Sequence, residues 1–206
     1  IKGAAEGKGR GKEILGVIRS ADMVLYIVDP FQKSHFAVLN RELENAGMRL
    51  NEVKPAVFIK RTDRGGIDVR STVEQTQLSD EEIGEIIRSF GYTSAIVTLR
   101  CDVTPDQIVD VLAGNRVYSR SVVAVNKIDI AEENSIVSME KSLPQTWPVM
   151  RISAYKDIGL DALKDFIYDN LGFMRIYLKP QGQEADMVEP LIVKDDSTVE
   201  MIFNRL

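Results

Sequence analysis

The sequence of 206 residues has few or none of the features that several classes of protein require. No apolar run approaches the roughly 18 residues that span a bilayer, and no secretory signal is visible. Cys101 is the single cysteine, which excludes an intramolecular disulfide framework and is typical of a reducing cytoplasm. His35 is the single histidine, so a multi-histidine metal site is excluded. We therefore expect a soluble cytoplasmic protein with no membrane partner, and we assign no metal ligand in it.

An excess of positive charge is also lacking. The net charge of −5 argues against a domain that coats nucleic acid as a whole, although it leaves room for a local basic patch.

His35 lies beside a predicted helix start, where we assign it no role. Cys101 follows a predicted strand, and a buried structural thiol fits that position better than a nucleophile does.

The chain begins at Ile1 without a methionine, which suggests a piece of a longer protein. Four glycines, interleaved with lysine and arginine, lie between Gly3 and Gly11. No apolar strand precedes them and the third glycine is misplaced for a dinucleotide fingerprint, which argues against a Rossmann loop. Two interpretations stay open: a mobile linker, or a conformational switch loop that leads into a helix.

Periodicity then predicts a helix from Lys12 to about Ser20, a buried strand over Met23 to Val28, and a helix from Ser34 to Gly47. Short links join these elements. Helix, strand and helix in this order are typical of a doubly wound α/β sheet.

The middle of the chain has a different pattern. Two strands, Ala56 to Ile59 and Gly66 to Val73, are predicted to form a hairpin around a charged turn, and a helix begins at Ser79. A strand over Ala95 to Leu99 and a helix from Thr104 to Gly114 follow. These elements predict a compact unit inserted between one sheet strand and the next. Basic residues on the hairpin either contact RNA phosphates or are simply solvated; they are Lys60, Arg61, Arg64 and Arg70.

A buried strand, Val122 to Val125, runs directly into Asn126, Lys127 and, after one residue, Asp129. Such side chains at the carboxyl end of a strand lie where open α/β sheets bind ligands. The carboxylate of Asp129 can accept two parallel hydrogen bonds, from the ring N–H and the exocyclic amine of guanine. The Asn126 amide can reach the purine edge while it also bonds to neighbouring loops, and the aliphatic stem of Lys127 can cover one face of a base. The alternative is a polar turn without a ligand.

A second group of the same kind follows. After a predicted helix over Ser135 to Leu143, a strand over Pro148 to Ile152 ends in Ser153 and Ala154. The two strand ends are predicted to share one rim of the sheet, where a small residue allows a backbone N–H to reach a carbonyl oxygen such as that of guanine. An amphipathic helix from Leu160 is closed by Gly172.

With these motifs, nearly the whole sequence resembles the translation-factor-class GTPases of the Obg type, specifically the developmentally regulated GTP-binding (DRG) proteins. The segments that carry the resemblance are Lys2 to Gly11, Arg19 to Asp22, Thr98 to Asp102, Gly114 to Tyr118, Asn126 to Asp129, Ser153 with Ala154, and Arg175 to Gly182.

The resemblance implies a Ras-like P-loop GTPase G domain without its N-terminal part, an inserted α+β domain similar to a ribosomal-protein domain, and the start of a ubiquitin-like β-grasp TGS domain. The implied TGS elements are strands over Arg175 to Leu178 and Leu191 to Val193 and a helix over Val199 to Leu206. The opening glycine loop would be the tail of switch II. The implied boundaries are 1–49 and 116–173 for the two G-domain segments, 50–115 for the insert, and 174–206 for the partial TGS domain.

The resemblance also implies which residues bind GTP or GDP. Asn126, Lys127 and Asp129 match the guanine-recognition motif, and Ser153 with Ala154 match the last nucleotide-binding loop. Tyr155 stands where the family often has lysine, so no role is carried over to it. Implied partners are the ribosome or RNA and a stabilising protein.

The sequence also departs from the family pattern because it lacks three motifs. It contains no Gly-x-x-x-x-Gly-Lys-Ser/Thr, threonine switch or Asp-x-x-Gly, so catalytic residues and a Mg²⁺ site are expected only in an intact protein, upstream of residue 1. We expect that the intact protein is a GTP-hydrolysing switch linked to translation and that these residues alone do not hydrolyse GTP. The alternative is a non-catalytic RNA- or protein-binding module built from the insert and the TGS region.

Overall fold

The structure is a computed structural model that describes residues 11–195 and 197–204. The glycine-rich segment that was predicted to be a linker or a switch loop, up to residue 10, and the last two residues of the predicted C-terminal helix therefore lie outside the described residues. The chain divides into two compact units, of which the first contains residues 11–19 and 41–119 and the second contains the described residues of 20–40 and 120–206. The elements in chain order are α1 (Gly11–Arg19), β1 (Met23–Val28), α2 (Ser34–Asn45), β2 (Met48–Leu50), β3 (Val57–Arg61), β4 (Ile67–Ser71), α3 (Asp80–Ser89), β5 (Ala95–Leu99), α4 (Pro105–Ala113), β6 (Val117–Val125), α5 (Glu133–Lys141), β7 (Val149–Arg151), α6 (Leu160–Asn170), β8 (Phe173–Ile176), β9 (Leu191–Lys194) and α7 (Val199–Phe203).

Parallel pairing around β6 organises the second unit. β1 pairs with β6 in parallel from Met23 opposite Arg120 to Val28 opposite Val125, and β7 pairs with the last three residues of β6, also in parallel. Both faces of this strand are covered, because four consecutive residues from Val122 to Val125 are fully buried. The mixed α/β architecture with a parallel sheet agrees with the sequence prediction and fits a GTPase-like fold.

Two groups of side chains pack against this sheet in the second unit. On one face, Val122 and Ala124 pack with Ile152 of the β7 end and Leu163 of α6. Tyr26, Phe36 and Trp147 form an aromatic cluster with ring centroids 5.1 to 5.9 Å apart. In the described part of the chain, no helix is both long enough and apolar enough to cross a membrane.

The first unit has its own core beneath a three-stranded sheet. α3 and α4 each begin with a capping box, Ser79 with Glu82 and Thr104 with Gln107. Their apolar faces cover the sheet, and the resulting core contains Val57, Leu78, Ile83, Ile87, Val97, Leu99, Val103 and Ile108.

A buried carboxylate joins α4 to two other parts of this unit. Asp110 is only 5% exposed and accepts two hydrogen bonds from Arg49 of β2, at 2.6 and 2.8 Å. Arg116, just before β6, donates a third at 2.7 Å. Because two guanidinium groups surround Asp110, its burial is compensated.

The predicted hairpin is wrong. β3 and β4 do not pair with each other, because β5 lies between them, antiparallel to β3 and parallel to β4. The crossover through α3 brings β5 back into the space between the two strands, and local sequence carries no signal for that order. Of the basic residues assigned to the hairpin, Lys60 and Arg70 lie on one sheet face, whereas Arg61 stacks on Tyr92 with its guanidinium 4.2 Å from the ring centroid.

The C-terminal segment of the second unit contains the antiparallel pair β8 and β9. β8 begins two residues earlier than predicted and ends at Ile176, whereas β9 agrees with the predicted strand. Thr198 caps α7 by accepting a hydrogen bond from the Met201 N–H at 3.3 Å. The domain boundaries implied by the resemblance, including those of a TGS domain, stay a prediction.

Candidate functional site

Three parallel strands end at one edge of the sheet in the second unit, and polar residues follow each of them. Asp29 comes directly after β1, Asn126 directly after β6, and Ser153 two residues after β7. Because β1 and β7 both run parallel to β6, their carboxyl ends lie at the same edge. We call this edge, with Asp29, residues 126–129 and residues 153–156, the rim.

Asn126 ties the three strand ends together. Its backbone N–H donates to the Val28 carbonyl at 2.9 Å, which continues the pairing of β6 with β1. Its side-chain oxygen accepts a hydrogen bond from the Ala154 N–H at 3.0 Å. Since the amide oxygen is used in this way, the amide nitrogen is left to donate to a ligand, and it has no partner among the described residues.

Asp129 is held by Ser153. The Ser153 hydroxyl donates to Oδ1 of Asp129 at 2.6 Å and accepts from the Lys156 N–H at 3.1 Å. Ser153 is fully buried, so its hydroxyl is fixed between these two partners. The other carboxylate oxygen of Asp129 accepts no hydrogen bond in the part of the chain that the structure describes, and it can take hydrogen bonds from a ligand.

Lys127 adopts a left-handed backbone conformation with φ of 65°, which is uncommon for a residue with a side chain. Its ammonium lies 2.6 Å from Oδ2 of Asp29, and 50% of its side chain remains exposed. Desolvation acts to raise the pKa of Asp29, but hydrogen bonds from Lys127 and from the Phe31 N–H outweigh it and hold that pKa below its ordinary value. The lysine stem therefore lies along the rim with its charge neutralised at one end.

A tight loop presents Ser153 and Ala154. The backbones of Ser153 and Ile158 exchange hydrogen bonds of 3.0 and 3.1 Å, which closes the loop. Gly159 follows with φ of 72°, and a Cβ at this position would lie 2.4 Å from the Arg151 carbonyl oxygen. Only glycine fits this close approach between the loop and the end of β7.

Arg151 fastens β7 to the neighbouring helix α5. It donates two hydrogen bonds to Glu140, at 2.6 and 2.8 Å, and a third to Glu133 at 2.8 Å. The hydrogen bonds from Arg151 are the main cause that lowers the pKa of Glu140. This ion-pair group supports the strand whose end carries the Ser153 loop.

The structure brings together four of the five predicted site residues through direct hydrogen bonds: Asn126 with Ala154, and Asp129 with Ser153. Lys127 lies on the same rim but bonds to Asp29 instead. The sequence analysis did not include Asp29 in the site, although its position directly after a buried strand was a signal.

Other residues that the sequence analysis considered lie elsewhere. Tyr155 is 84% exposed on the rim. Cys101 is half-buried, and its sulfur accepts a hydrogen bond from the Ala56 N–H at 3.2 Å. The described residues contain no group of three or more histidine, cysteine or acidic side chains that could hold a metal ion.

Comparison with known proteins places this geometry in context. A family described as the C-terminal region of MMR_HSR1 domain matches residues 64–173. A GTP-binding protein of Methanocaldococcus jannaschii is 44% identical over 100% of this chain and 53% of its own length. The ribosome-interacting GTPase 1 of Saccharomyces cerevisiae is 35% identical over 95% of this chain and 53% of its own length. The developmentally regulated GTP-binding protein 1 of Xenopus laevis is 35% identical over 94% of this chain and 52% of its own length.

The parallel α/β sheet and the matched family region define the class: the chain carries the C-terminal part of a GTPase-like domain. More narrowly, the chain belongs to the DRG family of Obg-type GTPases. It spans about half the length of the curated relatives that it matches.

Proposed function

We propose that the rim binds the guanine base of GTP or GDP. The observation that supports this proposal is the hydrogen-bonded arrangement of Asn126, Asp129, Ser153 and Ala154, in which each polar group needed for guanine is oriented by a partner in the protein. Three relatives are named as GTP-binding proteins or GTPases, in agreement with it.

In this proposal Asp129 selects guanine over adenine. Guanine presents a ring N–H beside an exocyclic amine, and the Asp129 carboxylate accepts from both, whereas adenine presents no such pair of donors. Ser153 uses one lone pair of Oδ1, which leaves the rest of the carboxylate for the base. Hydrogen bonds to a charged group are the stronger ones, so this carboxylate contributes most of the selectivity.

The remaining residues complete the base site. The Asn126 amide nitrogen donates to the purine edge, because its oxygen is already used by Ala154. The small side chain of Ala154 leaves room for the guanine carbonyl oxygen near the backbone of this loop. The Lys127 stem covers one face of the base while Asp29 neutralises its ammonium.

We further propose that the chain works within a protein of the length of its relatives, and that this protein hydrolyses GTP as a cytoplasmic switch. The γ-phosphate of GTP and a Mg²⁺ ion would be held by residues outside this sequence, because the sequence contains no P-loop motif. These 206 residues alone would then bind GDP weakly or not at all, because the contacts to phosphate are missing, and they would not hydrolyse GTP.

Ribosome association is proposed from the name of the yeast relative, ribosome-interacting GTPase 1. The core around β3, β4 and β5 supports an inserted domain of ribosomal-protein type over 50–115, and the β8–β9 pair followed by α7 supports the beginning of a TGS domain over 174–206. A stabilising protein partner remains part of this proposal. The second candidate, a non-catalytic RNA- or protein-binding module, is favoured by the exposed sheet face described below.

Replacing Asp129 by asparagine tests the base assignment. In the full-length protein, Asp129→Asn should weaken GTP binding and shift preference towards xanthosine triphosphate, because the amide donates where guanine also donates. Competition between the two nucleotides for a fluorescent GTP analogue measures the shift. Asp157→Asn, which changes an exposed carboxylate in the neighbouring loop, is the matched control. Unchanged guanine preference in Asp129→Asn would refute the assignment.

A further inference from the structure

The three-stranded sheet of the first unit has one covered face and one open face. α3 and α4 pack on Val57, Val97 and Leu99. Because successive side chains of a strand alternate between faces, Phe58 and Thr98 lie on the opposite side. Phe58 is 56% exposed there, so a large aromatic ring of the edge strand β3 faces solvent.

Strand register places basic side chains around this ring. Phe58 lies opposite Thr98, which lies opposite Arg70 across β5. In the next row, Lys60 lies opposite Ile96. Arg100 follows β5, and its guanidinium carbon is 5.2 Å from the centroid of the Phe58 ring. We call the surface formed by Phe58, Lys60, Arg70, Ile96, Thr98 and Arg100 the open face.

The open face differs in charge from the chain as a whole. Asp68 is the carboxylate that shares this side of the sheet, and Arg70 donates to it at 2.9 and 2.7 Å. Lys60 and Arg100 have no carboxylate partner among the described residues. A chain with net charge −5 therefore presents two uncompensated cations beside an exposed aromatic ring.

We propose that the open face binds single-stranded RNA. A base stacks on the Phe58 ring, and Lys60 and Arg100 neutralise the flanking phosphates. Stacking on an aromatic side chain needs a base whose face is free, which selects single strands over duplexes. The hydroxyl of Thr98, directly opposite Phe58, can hydrogen-bond a ribose 2′-hydroxyl. The choice of RNA over DNA also rests on the ribosome association proposed above.

The test uses the full-length protein and a fluorescein-labelled uridine dodecamer in a fluorescence-anisotropy titration at low salt. Phe58→Ala should weaken binding by about 5- to 150-fold, the range expected when a stacking aromatic is truncated. Lys60→Ala should lower the slope of log affinity against log salt concentration by about 0.7, because one fewer counterion is released from a single strand.

Matched controls are available in the second unit. The Arg175 guanidinium lies 4.8 Å from the centroid of the Tyr168 ring, and Tyr168 is 46% exposed. This tyrosine therefore resembles Phe58 in its surroundings, but it lies on a helix rather than on an open sheet. Tyr168→Ala should leave RNA affinity unchanged, and Lys164→Ala should leave the salt slope unchanged. Far-UV circular dichroism verifies that each variant is folded.

Several outcomes would overturn the proposal. They are a wild-type chain that does not bind the oligomer, an affinity that Phe58→Ala leaves intact, and a deoxyuridine dodecamer that binds as tightly as the ribose form. Loss of ribosome co-sedimentation in Phe58→Ala with oligomer binding retained would assign the face to a protein instead. Asn126→Ala should retain RNA binding, so failure of the base-binding proposal is distinguishable from failure of this one.

Discussion

At the scale of single residues, the rim works because its polar groups hold one another. Asn126 fixes the Ala154 loop with its oxygen and keeps its nitrogen available, and Ser153 fixes Asp129 while receiving the Lys156 N–H. Few side-chain movements are then needed when a base binds, and pre-organisation of this kind lowers the entropic cost of binding.

Ser153 gives a direct test of this arrangement. Ser153→Ala removes the hydrogen bond to Asp129 and leaves the Lys156 N–H without its acceptor. Because hydrogen bonds to charged groups contribute about 1.5–3 kcal/mol, we expect GTP affinity of the full-length protein to fall at least about tenfold. Isothermal titration calorimetry measures this change.

Ser121→Ala is the matched control, since Ser121 is a similarly buried serine of β6 that lies before the rim. It should change stability without changing affinity. Equal affinities of Ser153→Ala and the wild type would show that Asp129 is oriented without Ser153.

At the scale of elements, Gly159 sets how closely the Ser153 loop approaches β7. Gly159→Ala introduces a Cβ 2.4 Å from the Arg151 carbonyl oxygen in addition to a left-handed φ of 72°. The backbone conformation alone costs of order 1–3 kcal/mol, and the collision adds to it. We expect a clear decrease in the free energy of unfolding, measured by urea denaturation followed by circular dichroism.

Gly114 offers a control with the same backbone conformation and no collision. It ends α4 with φ of 65°, and a Cβ there would have no neighbour within 4 Å. Gly114→Ala should therefore cost only the conformational part. If the two variants are destabilised equally, the close approach at Gly159 contributes nothing.

Elements with a strong local pattern could be predicted from the sequence. β1 is a continuous apolar run, β5 is apolar apart from Thr98, and the predicted limits of both strands agree with the structure. β2 was not predicted because three residues are too few to show a period. The β3–β4 hairpin was wrong because the neighbour of a strand depends on a crossover through α3, a contact distant in sequence.

The same distinction applies to the rim. The grouping of Asn126 and Asp129 with Ser153 and Ala154 follows from a general rule, since parallel strands end at one edge. The ion pair between Lys127 and Asp29 joins residues 98 positions apart, and no local pattern indicates it. Phe58 was missed as a surface residue for a similar reason. Which face of the sheet is open to solvent depends on the strand order, and local sequence does not show that order.

At the scale of the whole molecule, most of the carboxyl groups whose pKa shifts on folding make the protein less stable as pH falls. A carboxylate whose pKa is lowered by folding binds fewer protons in the folded state, so its contribution is present above its ordinary pKa of about 4 and is lost as pH falls through the lowered value. Hydrogen bonds are the main cause for four such groups and outweigh desolvation for the fifth; the five are Glu82, Asp102, Glu140, Asp161 and Asp29.

Glu52 acts in the opposite direction, because desolvation raises its pKa and its contribution is lost as pH rises through the raised value. With five carboxyl groups whose pKa is lowered against one whose pKa is raised, we expect the urea midpoint to rise from about pH 3 to pH 5 and then to level off. Glu140→Gln removes the acceptor of the Arg151 pair and should flatten part of that rise, whereas Glu74→Gln, at an exposed position, should not. A midpoint that stays constant or falls between pH 3 and pH 5 would show that these hydrogen-bonded carboxylates do not control acid stability, since protonating them would then cost the folded state nothing.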